Sequence, residues 1–326
     1  MKTIQEDIKT GKFHACYLIY GEEAYLVKQY RDNLIDAITG RDDLMNFSLF
    51  QGKNTDINSL IDLAETLPFF AERRLIVVED SGFFKSSSDK LASYIEKLPE
   101  STILIFAEEA VDKRNKLYKA VQKKGYVSEM KKQTEATLSK WILSQVKKEK
   151  KQITQEALRL FLEKSGTDMN MIRNELEKLF SYTLERKGIT VEDVEAVCSS
   201  RTENHIFEMV DAISAKNSKK TFDLYADLLQ LKEAPGRILY LIARQYSLLL
   251  KSKELRQEGH DFASIASRLS VPEFAVRKQV RLSSSFEEKQ LKEAIRKCIE
   301  AEESFKRGKI EDRLALETLI MELLML

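Results

Sequence analysis

The sequence predicts an α/β region followed by a long helical region. Two observations carry this prediction: short apolar runs alternate with helical patterns over about the first 130 residues, and only helical patterns follow residue 131. With 326 residues, of which 43% are hydrophobic, the chain is long enough for two or three cores. We therefore expect three domains, at 1–132, 133–202 and 203–326.

Five apolar runs predict the strands of the first region. Three of them, CYLIY, RLIVVE and TILIFA, are almost continuously apolar, which is typical of parallel strands covered on both faces. The helical segments between the runs favour right-handed crossovers and hence a parallel sheet. The predicted strands are 16–20, 46–50, 74–79, 102–107 and 126–130.

Helical periodicity is clearest between the first two strands. In the segment 22–38, apolar side chains recur every four residues along one face, at Leu26, Tyr30, Leu34 and Ile38. The same criterion predicts the other helices before residue 200. They are 56–67, 88–97, 113–124, 135–149, 154–164, 168–182 and 190–198.

A helical bundle is predicted from about residue 203 to the end. Its segment 237–257 carries a wide apolar stripe, which indicates a helix at the centre of the bundle. Pro235-Gly236 and Pro272 mark points where helices of this bundle begin or turn.

The loop after the first strand has the position of a phosphate-binding loop but not its chemistry. Such a loop needs the pattern G-x-x-x-x-G-K-[ST], because amides, a lysine and a hydroxyl together hold the phosphates and magnesium. Counted from Gly21, the three required positions hold Leu26, Val27 and Lys28. Glu22 and Glu23 would also repel a triphosphate. We expect no functional P-loop and no bound cofactor.

Other catalytic or metal-binding patterns are absent from the sequence. Glu79-Asp80 ends a strand as metal ligands would, but without phosphates we interpret the pair as a solvated acidic turn. There is no G-x-S-x-G and no H-E-x-x-H motif. The three cysteines and three histidines are scattered, which is typical of reduced thiols and structural histidines. We expect no catalytic residue and no metal.

The stretch LPFFAERRLIVVED places two phenylalanines, Phe69 and Phe70, between a proline and charged residues. Consecutive side chains diverge in a helix or a strand, so one core surface rarely buries both. Pro68 suits the first turn of a short helix, and 72–74 are expected near solvent. At least one ring is therefore expected to be exposed, as an anchor for a partner's pocket. The alternative, that both rings pack under the adjoining elements, stays open.

The net charge of +1 conceals a charge asymmetry. Residues 1–110 hold 12 Lys/Arg against 19 Asp/Glu, whereas 111–151 hold 13 against 4. Such a basic segment can attract a phosphate backbone, but a solvated helix surface is the more common explanation. The polar start of the chain and the lack of a long apolar run predict an intracellular protein that does not enter a membrane.

The whole chain resembles the delta subunit of the bacterial DNA polymerase III clamp loader, in the AAA+ clamp-loader superfamily. The resemblance is carried by the order and spacing of several segments along the chain. They are YLIYGEEAYLVKQY (17–30), LPFFAERRLIVVED (67–80), DKRNKLYKAV (112–121), GTDMNMIRNELEKLF (166–180), ENHIFEMVDAI (203–213) and PGRILYLIARQYSLLL (235–250).

This resemblance implies an AAA+-like α/β domain, a helical lid domain and a C-terminal collar bundle. It implies a cytoplasmic replication protein without catalysis of its own, working within the DNA polymerase III holoenzyme in a ring of five loader subunits. The family's clamp-contact residues fall on Leu67, Phe69 and Phe70, which would bind the sliding clamp and hold its ring open for loading onto primed DNA. Possible DNA contacts in the assembled loader are Lys113, Arg114, Lys116 and Lys119.

Two other functions remain as alternatives at this stage. One is an active AAA+ ATPase with an unusual nucleotide loop, against which the residues after Gly21 argue. The other is a helical adaptor that binds nucleic acid through 111–151, which predicts salt-dependent DNA binding by the isolated chain.

Overall fold

A computed structural model of the chain describes residues 2–40, 45–198 and 202–326. The chain divides into two compact units, Met1–Gln133 and Thr134–Leu326. The predicted boundary between 202 and 203 lies inside the second unit, beside residues outside the described ranges, and it stays a prediction. None of the helices in the described ranges has the length and apolarity that a membrane span requires.

The first unit is built on one parallel sheet, as predicted. Its strands are β1 (Cys16–Tyr20), β2 (Phe47–Gln51), β3 (Arg74–Glu79), β4 (Thr102–Glu108) and β5 (Tyr126–Glu129). They pair in the order β2-β3-β4-β1-β5, and every pairing is parallel. The central strands β1, β3 and β4 are buried along their whole length. This confirms the prediction that the three continuous apolar runs are parallel strands covered on both faces.

Helices connect these strands and precede the first of them. They are α1 (Lys2–Thr10), α2 (Ala24–Thr39), α3 (Ile57–Ala64), α4 (Asp89–Ile95) and α5 (Lys116–Lys124). Side-chain caps fix two starts: Asp56 accepts from the Ser59 N–H, and Asn115 accepts from the Leu117 N–H. The predicted helix over 113–124 therefore starts three residues later, after its cap.

Helix α1 was not predicted. It buries Ile4 and Asp7, and the Asp7 carboxylate accepts a hydrogen bond of 2.9 Å from the Tyr17 hydroxyl. The polar composition of this segment hides its short apolar face.

The second unit is mainly helical. Its helices are α6 (Glu135–Lys148), α7 (Gln155–Ser165), α8 (Met169–Tyr182), α9 (Val191–Val197), α10 (Thr202–Ser214), α11 (Ser218–Gln230), α12 (Pro235–Gln257), α13 (Phe262–Leu269), α14 (Glu273–Ser283), α15 (Glu288–Lys306) and α16 (Asp312–Met325). The expectation of helices alone after residue 131 is wrong in one detail, because two strands of two residues each, β6 (Gln152–Ile153) and β7 (Gly188–Ile189), pair in parallel. Strands this short carry no periodicity.

Helix α12 lies at the centre of the C-terminal bundle, as predicted. It packs against α10, α13, α14, α15 and α16, and Pro235 occupies its first turn. Its buried face includes the polar residue Gln245, whose amide exchanges two hydrogen bonds of 3.0 Å with that of Gln279 on α14. The pairing satisfies two polar groups that would otherwise be costly to bury.

Candidate partner-binding surface

The segment between α3 and β3 does not form the short helix predicted at Pro68. Helix α3 ends at Ala64, three residues before its predicted end, and 65–73 follow as turns and bends. Phe70 has a φ of 51°. This left-handed backbone is unfavourable for a residue with a side chain and cannot continue a right-handed helix.

Three apolar side chains of this segment are exposed. Phe70 is 96% exposed, Leu67 81% and Phe69 54%. The two phenyl rings lie edge to face, with centroids 4.5 Å apart and planes at 79°, an arrangement that aromatic pairs favour. The alternative in which both rings are buried is therefore wrong. We call Leu67, Phe69 and Phe70 the apolar tip.

A buried asparagine holds the backbone of the apolar tip. Asn46 is 1% exposed and directly precedes β2. Its side-chain Nδ2 donates to the Phe69 carbonyl at 2.9 Å, and the Phe69 N–H donates to its Oδ1 at 2.6 Å. The Asn46 carbonyl in turn accepts from the Leu75 N–H of β3 at 2.8 Å. The tip is thereby tied to the edge of the sheet.

Arg74 is a second support, and its position corrects a prediction. The residues 72–74 were all expected near solvent, but Arg74 is only 8% exposed. It is the first residue of β3, and its guanidinium turns back to donate to the carbonyls of Thr66, at 3.3 Å, and Leu67, at 3.2 Å. These bonds satisfy carbonyl groups that lie beyond the end of α3.

The loop after β1 is closed by the chain's own backbone. The Gly21 N–H donates to the Glu108 carbonyl at 3.2 Å, and the Glu23 N–H donates to the Met130 carbonyl at 3.0 Å. A β-carbon on Gly21 would lie 2.2 Å from that same Met130 oxygen, so only glycine fits. A phosphate-binding loop needs amides that point at the ligand. Two of the amides in this loop already have protein partners.

The acidic residues at the carboxyl end of the sheet are mostly engaged as well. Glu79 is nearly buried and ion-paired with Arg31 of α2, so the prediction of a solvated turn is wrong for Glu79 and right for the exposed Asp80. Burial raises the pKa of Glu108, whose carboxylate accepts from the Ser81 N–H at 3.1 Å and the Ser81 hydroxyl at 2.5 Å.

The scattered cysteines and histidines do not form a site. Across 2–40, 45–198 and 202–326, no three His, Cys, Asp or Glu side chains are placed to hold a metal ion. Cys16, Cys198 and Cys298 are buried and free, and burial raises the pKa of each to about 12. Thiols with such a pKa are poor nucleophiles at neutral pH.

The four candidate DNA-contact residues lie near the start of α5, on exposed surface. Three of them form ion pairs: Lys113 with Glu129 at 3.0 Å, Arg114 with Asp112 at 2.9 Å, and Lys116 with Asp89 at 2.7 Å. Lys119 is exposed on the next turn. This segment follows the carboxyl end of β4, whereas the apolar tip precedes the amino end of β3. Because the strands are parallel, the two segments lie at opposite ends of the strands and do not form one site.

Two family models match the chain over most of its length. A model described as "DNA polymerase III, delta subunit" matches 17–131, and one described as "DNA polymerase III delta subunit, C-terminal domain" matches 203–323. The chain belongs to the DNA polymerase III delta-subunit family. The resemblance drawn from the sequence motifs is thereby confirmed.

Individual delta proteins agree with this assignment. The DNA polymerase III subunit delta of Bacillus subtilis is 29% identical over 98% of this chain and 96% of the relative. A probable DNA polymerase III subunit delta of Aquifex aeolicus is 21% identical over 75% of this chain and 72% of the relative. The solved structure of a B. subtilis DNA clamp loader delta protein matches 100% of this chain and 99% of its own, with a TM-score of 0.70 and 27% identity. The predicted fold class, a parallel α/β region followed by helices, is confirmed.

Sequence reasoning found the apolar tip of this delta-family chain but missed the two residues that support it. The missed residues are Asn46 and Arg74. Each is a polar residue at the amino end of an apolar strand. This position is the sequence signal that could have indicated a supporting role.

Proposed function

We propose that this chain binds the sliding clamp through the apolar tip and holds the clamp's ring open while it is loaded onto primed DNA. In this proposal it occupies one place in a five-subunit loader, whose other members supply ATP hydrolysis. Because bacterial DNA replication takes place in the cytoplasm, the proposal locates the chain there.

The observation that carries the proposal is the exposure of the apolar tip on an ordered support. Exposed aromatic residues next to one another are unusual on a surface that contacts only water, and they are enriched at the centres of protein interfaces. The tip combines two phenyl rings and a leucine on one short segment. A partner with an apolar pocket would accept all three.

The free energy that burial of the apolar tip can contribute is comparable with the free energy needed to shift the clamp to an open form. Burying each of three such side chains contributes roughly 1.5–3 kcal/mol, or about 3.5–7 kcal/mol together when each is scaled by its exposed fraction. Shifting a two-state equilibrium from 1:99 to 99:1 takes about 5.5 kcal/mol of differential binding. A tip that fits only the open clamp would therefore shift the clamp to that form.

The closed loop at Gly21 supports a role without hydrolysis. Its Gly21 and Glu23 amides bond to Glu108 and Met130, and the nearby Glu79 is paired with Arg31, so these groups already have protein partners. This favours the proposal over an active ATPase. We assign the helices of 203–326 to contacts with neighbouring loader subunits, supported by exposed apolar residues on α16 at Leu314, Met321 and Met325.

The test is a pull-down of the full chain with the sliding clamp from the same cell. Replacing both rings, in Phe69→Ala/Phe70→Ala, should abolish capture while the helical circular dichroism signal is unchanged. A matched control is Tyr182→Ala/Leu184→Ala, which removes an exposed aromatic and an exposed aliphatic side chain elsewhere and should bind normally. Undiminished capture of the first variant would refute the assignment.

The basic residues near the start of α5, Lys113, Arg114, Lys116 and Lys119, would contact DNA only within the assembled loader. Three of the four cations are paired with carboxylates, and such exposed pairs are weak because water screens the charges. They are thus free to exchange partners within an assembled loader. The isolated chain should bind primed DNA only weakly; tight binding with a steep salt dependence would favour the nucleic-acid adaptor instead.

A further inference from the structure

We infer that Asn46 and Arg74 are positioning residues for the apolar tip, so that partner affinity depends on two side chains that are themselves buried. The inference rests on the proposed function of the tip. It adds that the tip is held in its binding form before the partner arrives.

The apolar tip contributes little to its own stability. Phe70 is almost entirely exposed and Leu67 nearly so, so burial of their side chains gives the segment little stability. Phe70 also has a left-handed backbone, which is strained for a residue with a β-carbon. Such a conformation persists only where surrounding structure enforces it. Something other than packing of the tip must therefore fix the segment.

Asn46 supplies one part of that restraint. Its side-chain amide donates to the Phe69 carbonyl and accepts from the Phe69 N–H. Two paired residues in neighbouring strands exchange hydrogen bonds in the same way. Because Asn46 is buried and its own carbonyl is bonded to β3, the pairing transmits the position of the sheet to the tip. Loss of the side chain leaves the backbone N–H and carbonyl of Phe69 without these two partners.

Arg74 supplies the other part, on the opposite side of the tip along the chain. Its fork of donors holds the carbonyls of Thr66 and Leu67. A lysine at this position would keep the charge but lacks the planar fork that reaches both carbonyls. The segment 66–69 is thus bonded at one end to Arg74, the first residue of β3, and at the other to Asn46, which directly precedes β2.

Holding the segment in its binding form before the clamp arrives should raise the affinity for the clamp. A flexible segment must be ordered when it binds, and that entropy cost lowers the affinity without any loss of contact. Releasing the segment should weaken clamp binding about tenfold, although the tip's side chains are all present. Loss of a residue that only stabilises the fold would not change the mobility of this segment alone.

The experiment combines amide hydrogen exchange with a clamp titration, using the full chain and the purified clamp. In Asn46→Ala, exchange in 66–70 should speed up while exchange in β3 stays unchanged, and clamp affinity should fall about tenfold. Arg74→Lys should act in the same direction and serves if Asn46→Ala fails to fold. Asn115→Ala is the matched control, because Asn115 also bonds to backbone on both sides, far from the tip; it should leave affinity unchanged.

The possible outcomes separate this inference from the proposed function. If exchange in 66–70 rises and affinity does not fall, the inference is overturned, as it is if affinity falls while that exchange is unchanged. If Phe69→Ala/Phe70→Ala leaves clamp binding intact, the proposed function itself is wrong. Loss of binding in that variant, with normal binding by Asn46→Ala and Arg74→Lys, rejects the positioning role alone.

Discussion

Replacing Phe70 by asparagine should stabilise the fold slightly and weaken clamp binding at the same time. A left-handed backbone costs an ordinary residue about 1–2 kcal/mol, whereas asparagine tolerates it. The φ of 51° places Phe70 in this region. The ring is 96% exposed, so its removal loses only the edge-to-face contact with Phe69, worth about 0.5 kcal/mol at such an exposed site.

The net change in the free energy of unfolding is therefore a gain of about 0.5–1.5 kcal/mol. Phe70→Ala is the control, since it loses the same ring and keeps the backbone strain. The asparagine variant should thus be about 1–2 kcal/mol more stable than the alanine variant. Urea denaturation followed by circular dichroism measures both variants. Equal stability of the two would show that the backbone at Phe70 is not strained.

The same substitution has the opposite effect on binding. Burial of a phenylalanine side chain contributes about 1.5–3 kcal/mol, which corresponds to about tenfold to a hundredfold in affinity. Titration of the clamp with each variant gives this quantity. An asparagine variant that binds as tightly as the original chain would refute the contact role of Phe70, whatever its stability.

Two further predictions concern the loop after β1. Gly21→Ala should cost about 2–4 kcal/mol in a urea titration, because a β-carbon would lie 2.2 Å from the Met130 carbonyl oxygen on a backbone with φ of 140°; a cost below about 0.5 kcal/mol would show that the loop is not closed in this way. A fluorescent ATP analogue should show no saturable binding to the isolated chain up to about 1 mM, a free energy of about −4 kcal/mol, whereas micromolar binding would favour the active ATPase.

The sequence predicted the sheet well because its strands are buried on both faces. Continuous apolar runs such as CYLIY leave few alternatives once helical patterns separate them. The ends of the five strands fall within one residue of their predicted positions. Helix α1 escaped prediction because its buried face consists of one isoleucine and an aspartate paired with Tyr17.

The conformation of the apolar tip was beyond the reach of local patterns. Pro68 and the neighbouring phenylalanines suit a short helix, and nothing nearby in the chain opposes it. The segment is instead set by Asn46, which is 23 residues away from Phe69, and by the guanidinium of Arg74. Long-range hydrogen bonds of this kind override local preference, and a single sequence does not reveal them. The sequence indicated that at least one ring is exposed and left burial of both open, and it did not reveal the residues that support the tip.

The most direct test of the account is a measurement of clamp opening by the isolated chain. A clamp labelled with a fluorophore pair across one interface reports separation of that interface as a loss of energy transfer. The original chain should separate the pair in a saturable manner, and Phe69→Ala/Phe70→Ala should leave it closed at the same concentrations. Equal separation by both chains, or saturated binding by the original chain without separation, would contradict the account.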